Sequence, residues 1–286
     1  MLFEHPAEAL FNGLTDEAWL QLLVRSVTEP VINSIEMPRF PHGIVQRRTV
    51  GSADEHALQE AFTFWSYTKA WSESLGRKLH ASTTFLDFGC GWGRYARMFW
   101  KDISPQGIHG VDVSSDIVAA CRMLGVPGTF SVIDPKGSLP FENEFFDNII
   151  AYSIFTHLPE HMAQHWMKEL ARVAKPGCVL TFTVEPGRFL DFINTIPDEA
   201  ENAWHASLGR FKKDTSAMRK AFDAGSFCYI PTGGGEGLDS SIYGDALIPI
   251  DYMHAKWGTD FKFWEYIDDP NLFWQAFVVA TSATSR

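Results

Sequence analysis

From residue 83 onward the chain alternates short apolar segments with longer amphipathic ones. The short segments are rich in β-branched and aromatic residues, and segments with apolar residues at helical spacing follow the first, second and fourth of them. Such alternation predicts a mainly parallel, doubly wound α/β sheet. The predicted parallel strands are TTFLDFG, IHGVDVS, TFSVI, DNIIAYS and CVLTFTV, and the later segments KFWEYID and FWQAFVVAT predict an antiparallel C-terminal strand pair.

Residues 1–80 lack this alternation and predict a helical N-terminal extension to a main domain over 81–286. Thr15 is a suitable N-cap for the first helix. A second helix, over about 54–76, is apolar on two nearly opposite faces, and such a helix is usually covered on both. We interpret one face as part of a substrate pocket, with ordinary core packing as the alternative. That face consists of Phe64, Tyr67 and Trp71.

Residues of about 187–245 interrupt the strand–helix rhythm and predict an insertion in the main domain. In a standard topology this insertion flanks the same end of the sheet as the aromatic helix over 54–76. We therefore expect the insertion to form a lid over the substrate pocket.

A glycine-rich turn follows the first predicted strand of the main domain. Gly89, Gly91 and Gly93 occupy alternate positions, and Asp87 stands two residues before the first of them. Glycine lets the backbone turn sharply and lets a ligand approach closely. Dinucleotide-binding folds favour the spacing GxGxxG, in which a helix N-terminus holds a pyrophosphate. The spacing GxGxG with a nearby carboxylate suits a cationic ligand instead.

Asp112 ends the second predicted strand, where a carboxylate can accept both hydrogen bonds from a ribose diol. The alternative role for Asp112 is to cap the following helix, although Ser114 and Ser115 are also able to do so. An acid before the glycine turn and another at the end of the next strand together predict a nucleoside-binding site.

Net charge and cysteine spacing indicate which partners the protein binds and in which cellular compartment it works. The formal charge of -11 argues against nucleic acid, whose partners carry basic patches. The four cysteines have no metal-binding spacing and suit a reducing cytoplasm. No apolar run approaches the roughly 20 residues of a membrane-spanning helix, and the first residues lack the features of a signal peptide. We therefore expect a cytoplasmic protein without membrane or nucleic-acid partners.

Four segments resemble the successive motifs of class I S-adenosylmethionine-dependent methyltransferases, over about 83–185. They are LDFGCGWGRYARM, GVDVSSDIV, LPFENEFFDNIIAYSIFTHLPE and ELARVAKPGCVLTFTV. The C-terminal part is similar to bacterial members of this superfamily, some of which act on sugars or other small metabolites. The resemblance implies a Rossmann-like fold and S-adenosylmethionine as the cofactor.

The same resemblance implies which residues bind the cofactor. The methionine end of the cofactor would contact the glycine turn, at Asp87, Gly89, Cys90 and Gly91. Its ribose would contact Asp112, and its adenine would contact Val113, Ile133 and Asp134. Its reactive side would lie at the end of the fourth strand, at Tyr152 and Ser153.

Two residues near the ends of later strands are candidates for catalysis. His157 follows the fourth strand and Glu185 ends the fifth, and ligands of open α/β sheets bind beyond the carboxyl ends of strands. Either could serve as a base for a hydroxyl acceptor, whereas an amine acceptor needs only to be neutral. The alternatives are a helix-orienting role for His157 and a solvated loop position for Glu185. His161 and His165 extend a spacing of four, but Pro159 starts the helix after His157, and we expect no metal site.

These observations predict an enzyme that transfers a methyl group from S-adenosylmethionine to an oxygen or nitrogen atom of a small-molecule acceptor, with sugars and related metabolites as one acceptor class. A catalytically silent S-adenosylmethionine-binding protein, acting as a partner or sensor, is the alternative. The glycine spacing disfavours a nicotinamide-dependent oxidoreductase. The segment AYSIF stands where a nucleic-acid methyltransferase has Asn/Asp-Pro-Pro-aromatic. A homo-oligomer is left open.

Overall fold

The computed structural model describes residues 5–11, 13–200, 202–234 and 239–283. The chain divides into two compact units, Met1–Ile150 and Ala151–Arg286, each with its own helices and strands. The helices of the first unit are α1 (Ala7–Leu10), α2 (Asp16–Ser26), α3 (Gly43–Val50), α4 (Asp54–Ser74), α5 (Arg94–Phe99) and α6 (Ser115–Met123). Its strands are β1 (Val31–Ile32), β2 (Ile35–Glu36), β3 (Phe85–Phe88), β4 (Ile108–Asp112), β5 (Thr129–Val132) and β6 (Phe146–Ala151).

Four strands of the first unit form a parallel sheet in the order β6–β3–β4–β5. All four residues of β3 are buried, as expected for a strand that is covered on both faces. Helices α5 and α6 connect β3 to β4 and β4 to β5. The carboxyl ends of β3, β4 and β6 consequently lie along one edge of this sheet.

The N-terminal helices pack within the same unit. The side chain of Thr15 accepts a hydrogen bond from the backbone N–H of Ala18 at 3.1 Å, which confirms the predicted cap of α2. From the buried face of α2, Trp19 Nε1 donates to the carbonyl of Met98 in α5 at 3.1 Å. The helical N-terminal segment is thus joined directly to the helix that follows the glycine turn.

The second unit contains α7 (Glu160–Val173), α8 (Phe189–Thr195), α9 (Ala203–Gly209), α10 (Thr215–Asp223) and α11 (Ile250–Trp257). Its strands are β7 (Ala174–Val184), β8 (Cys228–Ile230), β9 (Asp245–Leu247), β10 (Phe261–Ile267) and β11 (Ala276–Ser282). Strand β11 pairs antiparallel with both β7 and β10, which confirms the C-terminal strand pair. The parallel sheet with its connecting helices and this antiparallel pair confirm the predicted Rossmann-like α/β architecture.

Strand β7 begins earlier than the sequence predicts. The predicted strand CVLTFTV begins at Cys178, but α7 ends at Val173 and β7 starts with the next residue, Ala174. The pairing of β11 with β7 begins only at Val179. Pro176 therefore lies outside that ladder, where its missing N–H costs no hydrogen bond to β11.

The predicted insertion contains α8, α9, α10 and β8, and β8 pairs antiparallel with β9. These elements share an apolar cluster made of Phe189, Leu190, Ile193, Ile196, Leu208, Cys228, Ile230 and Leu247. Residues 201 and 235–238 of the insertion lie outside the described residues. The insertion therefore has an apolar core of its own within the second unit, and its role as a lid stays a prediction.

Among the helices that the structure describes, none combines the length and the apolar composition needed to cross a bilayer.

Candidate functional site

The glycine turn between β3 and α5 leaves open space on one side and none on the other. Gly91 has a φ of +50°, and a Cβ atom added there would have no neighbour within 4 Å. Gly93, with a φ of +76°, is the N-cap of α5, and a Cβ atom there would lie 2.6 Å from Val126 Cγ1. Left-handed backbone favours glycine at both positions. The turn therefore packs tightly against the protein at Gly93 and exposes its backbone at Gly91.

Asp87 is a buried carboxylate beneath this turn. It is 1% exposed, and its Oδ2 atom has no hydrogen-bond partner among the described residues. Burial, and then the nearby negative charge of Asp112, raise the pKa of Asp87 to about 7, against a partial opposing effect of Arg94. A buried acceptor without a donor is costly. A cationic donor above the turn would satisfy it.

Asp112 connects the glycine turn to the next strand. Its Oδ2 atom accepts a hydrogen bond from the N–H of Gly91 at 3.0 Å, and its Oδ1 atom accepts one from the N–H of Ser114 at 2.9 Å. A carboxylate has about four lone-pair sites and can accept several hydrogen bonds at once. The cap of α6 is supplied by Ser114, whose Oγ accepts from the N–H of Ile117. Asp112 thus shapes the glycine turn, and its role in binding a ribose diol stays a prediction.

The remaining predicted cofactor residues of the first unit lie around these two acids. The N–H groups of Gly89 and Cys90 both donate to the carbonyl of Val111. Val113 is exposed at 39% and so presents an apolar surface just after the end of β4. Ile133 is buried and donates from its N–H to the carbonyl of Asp112. Asp134 is exposed and accepts from the N–H of Lys136.

Ser153 belongs to a ring of hydrogen bonds in the second unit. Its N–H donates to Thr183 Oγ1 at 2.7 Å, the Thr183 hydroxyl donates to Gln275 Oε1 at 2.6 Å, and Gln275 Nε2 donates to Ser153 Oγ at 2.9 Å. The ring holds Ser153 at a φ of +57°, which non-glycine residues rarely adopt. Its neighbour Tyr152 is half-buried. Such local strain marks a candidate functional position.

His157 lies next to Ser153 with one ring nitrogen engaged. Its Nδ1 atom is 2.8 Å from the carbonyl oxygen of Gly244, which only accepts hydrogen bonds, so Nδ1 carries the proton. Its Nε2 atom then has the lone pair, 3.4 Å from Ser153 Oγ. Burial lowers the pKa of His157, and the charge of Asp245 and the Gly244 carbonyl oppose this only in part. His157 is therefore a neutral imidazole with a basic Nε2 atom at neutral pH.

Glu185 follows β7 and is buried rather than solvated. It is 4% exposed, and its Oε1 atom accepts from Gln275 Nε2 at 3.3 Å. Burial and then the charge of Asp245 raise the pKa of Glu185 to about 8. The carboxyl group is therefore protonated at neutral pH and can donate a hydrogen bond. The interpretation of Glu185 as a solvated loop residue is wrong.

We expect Glu185→Gln to make the protein more stable above neutral pH. The folded state holds a proton on Glu185 up to about pH 8, whereas the unfolded chain releases it near 4.5. Stability therefore falls as the pH rises from 4.5 to 8, and glutamine removes this loss because it resembles the protonated acid. At about 1.4 kcal/mol for each pKa unit, the gain at pH 8 should be roughly 4 kcal/mol.

Calorimetric melting temperatures between pH 5 and pH 8.5 measure this effect. The exposed acid Glu199, replaced by glutamine, is the matched control. A difference between Glu185→Gln and wild type that stays constant over this range would contradict the protonated state of Glu185.

The three aromatic residues assigned to the substrate face of α4 have different surroundings. Phe64 is fully buried, and its ring centroid lies 5.1 Å from that of Tyr95 in α5. Tyr67 and Trp71 are half-buried. Phe64 thus packs within the first unit, and the substrate role of the three residues stays a prediction.

His161 is exposed and His165 is half-buried on α7. Within the described ranges, no group of three or more His, Cys, Asp or Glu residues could hold a metal ion.

Sequence reasoning missed Asp245 and Gln275, the buried polar residues that surround His157 and Glu185. Asp245 is 1% exposed and accepts hydrogen bonds from Trp204 Nε1 and Thr232 Oγ1. The one available signal was an aspartate inside the apolar segment DALIPI, since buried charges are rare unless paired.

Comparison with known proteins finds similarity to methyltransferases in the central part of the chain. A family model described as a methyltransferase domain matches residues 85–177. The chain is similar to a 2-methyl-6-phytyl-1,4-hydroquinone methyltransferase of Synechocystis sp., with 32% identity over 104 residues, 36% of this chain and 32% of that protein. It is also similar to a demethylmenaquinone methyltransferase of Bacillus cytotoxicus, with 25% identity over 132 residues, 44% of this chain and 55% of that protein. The chain thus matches only a third to about half of the length of these relatives.

A solved structure gives a likeness over more of the chain. The crystal structure of a Pyrococcus horikoshii protein matches with a TM-score of 0.53 and 15% identity, over 83% of this chain and 95% of that one. At this identity the likeness supports the fold alone.

Proposed function

We propose that the protein transfers a methyl group from S-adenosylmethionine to an oxygen or nitrogen atom of a small-molecule acceptor, because residues 85–177 match a family model described as a methyltransferase domain. The observation that carries the proposal is the pair of acids, Asp87 and Asp112, on adjacent parallel strands beside the open turn at Gly91. S-adenosylmethionine supplies the activated methyl group on its sulfonium.

The residues of the first unit suit the recognition groups of this cofactor. Asp87 would accept a hydrogen bond from the cationic amino group, whose charge would return the pKa of Asp87 toward its ordinary range. Asp112 would accept hydrogen bonds from the ribose hydroxyls, and Val113 offers an exposed apolar contact to the adenine. A dinucleotide is disfavoured, since its pyrophosphate would place negative charge beside two carboxylates.

His157 is the proposed base for a hydroxyl acceptor. Strand β6 runs parallel to β3, and His157 follows the last residue of β6, Ala151, by six positions. Its Nε2 lone pair would accept the proton that a hydroxyl group loses when its oxygen bonds to the methyl carbon. The Gly244 carbonyl would stabilise the resulting imidazolium through Nδ1.

The buried acids of the second unit favour an uncharged acceptor. Glu185 and Asp245 are both buried, and the charge of Asp245 already raises the pKa of Glu185. A carboxylate or phosphate on the acceptor would be repelled by the charge of Asp245. Neutral hydroxyl compounds, such as sugars, and neutral amines fit this environment. The names of the two relatives add hydroquinones and related quinones to the acceptors worth testing.

Two measurements test the proposal. Calorimetric titration with S-adenosylmethionine and S-adenosylhomocysteine should give micromolar binding, and NAD should give none. Transfer of labelled methyl from S-adenosylmethionine is then measured with panels of sugars, hydroquinones and amines. Absence of binding to both S-adenosyl compounds would overturn the proposal. Binding without transfer to any acceptor would favour the silent binding protein.

A further inference from the structure

The segment Tyr243 to Ala246 holds His157 from both its backbone and its ring. The N–H of Gly244 donates to the carbonyl of His157 at 2.9 Å, and the N–H of Ala246 donates to the carbonyl of Thr156 at 2.7 Å. The ring of Tyr243 stacks on the imidazole with centroids 4.5 Å apart and planes 15° apart. The position of His157 therefore depends on a segment more than 85 residues later in the chain.

Asp245 is the charged residue within this segment. Its Oδ1 atom lies 4.0 Å from His157 Nδ1, and its side chain is 2% exposed. Trp204 Nε1, at the start of α9, donates to both carboxylate oxygens at 3.2 and 3.3 Å, and the Thr232 hydroxyl donates to Oδ2. Two side chains of the predicted insertion thus fix the carboxylate beside the imidazole.

Gly244 keeps this segment tight against β8. A Cβ atom at Gly244 would lie 2.4 Å from the carbonyl oxygen of Ile230 and 2.6 Å from the hydroxyl of Tyr229. The Gly244 carbonyl, which accepts from His157 Nδ1, is therefore held against a strand that pairs with β9. The hydrogen bond that selects the tautomer of His157 therefore comes from a residue that packs closely against β8.

We propose that Asp245, held by Trp204 and Thr232, is a positioning residue that keeps His157 in the tautomer with a basic Nε2 atom. The carboxylate of Asp245 acts by its negative charge, which lies near His157 Nδ1. Its hydrogen bonds also hold the adjacent residue, Gly244, whose carbonyl accepts from the same nitrogen. The geometric part of the inference stands on these contacts, and its catalytic consequence rests on the proposed function.

The other groups around His157 do not replace the charge of Asp245. Tyr243 is neutral, because burial and then the charge of Asp245 raise its pKa further above the ordinary value. Ser153 contributes an uncharged hydroxyl at Nε2. The charge of Asp245 helps to raise the pKa of Glu185, so Glu185 is protonated and uncharged at neutral pH. Asp245 is thus the negative charge that favours the imidazolium of His157.

Nitrogen NMR of the full chain, labelled in histidine, tests the inference without any acceptor. We expect Asp245→Asn to lower the pKa of His157 and to increase the fraction of the other tautomer, because the charge that favours a protonated Nδ1 is lost. His157→Asn identifies the His157 signals. Asp223→Asn, which removes an exposed carboxylate from the end of α10, should leave them unchanged.

A second variant covers the case in which Asp245→Asn fails to fold. Trp204→Phe keeps an aromatic ring but removes the donor that holds both carboxylate oxygens of Asp245 beside the imidazole, so the charge is less well fixed near Nδ1 and the pKa of His157 should fall in the same direction. Unchanged His157 signals in the folded variant, or in Trp204→Phe if only that variant folds, would overturn the inference.

Turnover distinguishes this inference from the proposed function. With a hydroxyl acceptor, Asp245→Asn should lower kcat by about tenfold with little change in KM, and should move the acidic limb of the pH profile to lower pH. If no acceptor is methylated but the His157 signals shift as expected, the proposed function fails and the positioning role of Asp245 stands. If methyl transfer occurs and the signals do not shift, the positioning role fails.

Discussion

Replacing Asp112 by alanine is expected to weaken binding of S-adenosylmethionine roughly a hundredfold or more. Two losses combine in this variant. The ribose diol would lose a charged acceptor, and hydrogen bonds to charged groups contribute about 1.5–3 kcal/mol each. The N–H groups of Gly91 and Ser114 would also lose the oxygen atoms that hold them, so the glycine turn would no longer be fixed before the ligand arrives.

Calorimetric titration with S-adenosylmethionine and S-adenosylhomocysteine measures this loss. The two ligands should be affected alike, since Asp112 would contact the ribose that they share. Asp116→Asn is the matched control, because Asp116 is an exposed acid in the first turn of α6, four residues further on. Wild-type affinity in Asp112→Ala would remove the ribose assignment, and with it one of the two acids that carry the proposed function.

The part of the site predicted from sequence is the part built from short-range features. Asp87, the glycine turn and Asp112 lie within 26 positions of one another, on two consecutive strands of a parallel pair. The order strand, glycine turn, helix, strand fixes their relative places, because the carboxyl ends of neighbouring parallel strands meet at one edge of the sheet. Local periodicity was therefore enough to bring these acids together.

The surroundings of His157 could not be obtained in this way. Its ring is held by Gly244 and Asp245, which follow it by 87 and 88 positions, after an irregular segment whose path no period describes. The burial of Glu185 depends on the same packing, because its neighbours Gln275 and Asp245 come from distant strands. Environments set by long-range contacts are not visible in a single sequence.

A small hairpin in the N-terminal segment was missed for a different reason. The sequence predicts a helical extension over residues 1–80, but β1 and β2 pair around a two-residue turn at Asn33 and Ser34. Both turn residues have positive φ, +51° and +65°, as a type I′ turn requires. The usual signal of such a turn is Asn-Gly. Here serine takes the place of glycine at the second position, and serine rarely adopts this conformation, so the sequence does not predict the turn.

Replacing His157 by asparagine should lower turnover with a hydroxyl acceptor by about 10² to 10⁴ fold, the range contributed by a general base, without weakening cofactor binding. The asparagine amide can still donate to the Gly244 carbonyl in place of Nδ1, so the local hydrogen bond is kept while the basic Nε2 atom is lost. His161→Asn, at an exposed position on the first turn of α7, is the matched control.

The dependence of wild-type activity on pH is a second test of His157 as the base. His157 acts as a base only when neutral, and burial lowers its pKa below the ordinary 6.5. Activity should therefore stay constant down to about pH 6.5 and fall only at lower pH. This decrease at acidic pH should be absent in His157→Asn. A variant that keeps wild-type turnover and an unchanged limb would show that another group takes the proton. An amine acceptor would instead make turnover depend on the pKa of the amine, because a neutral amine needs no base.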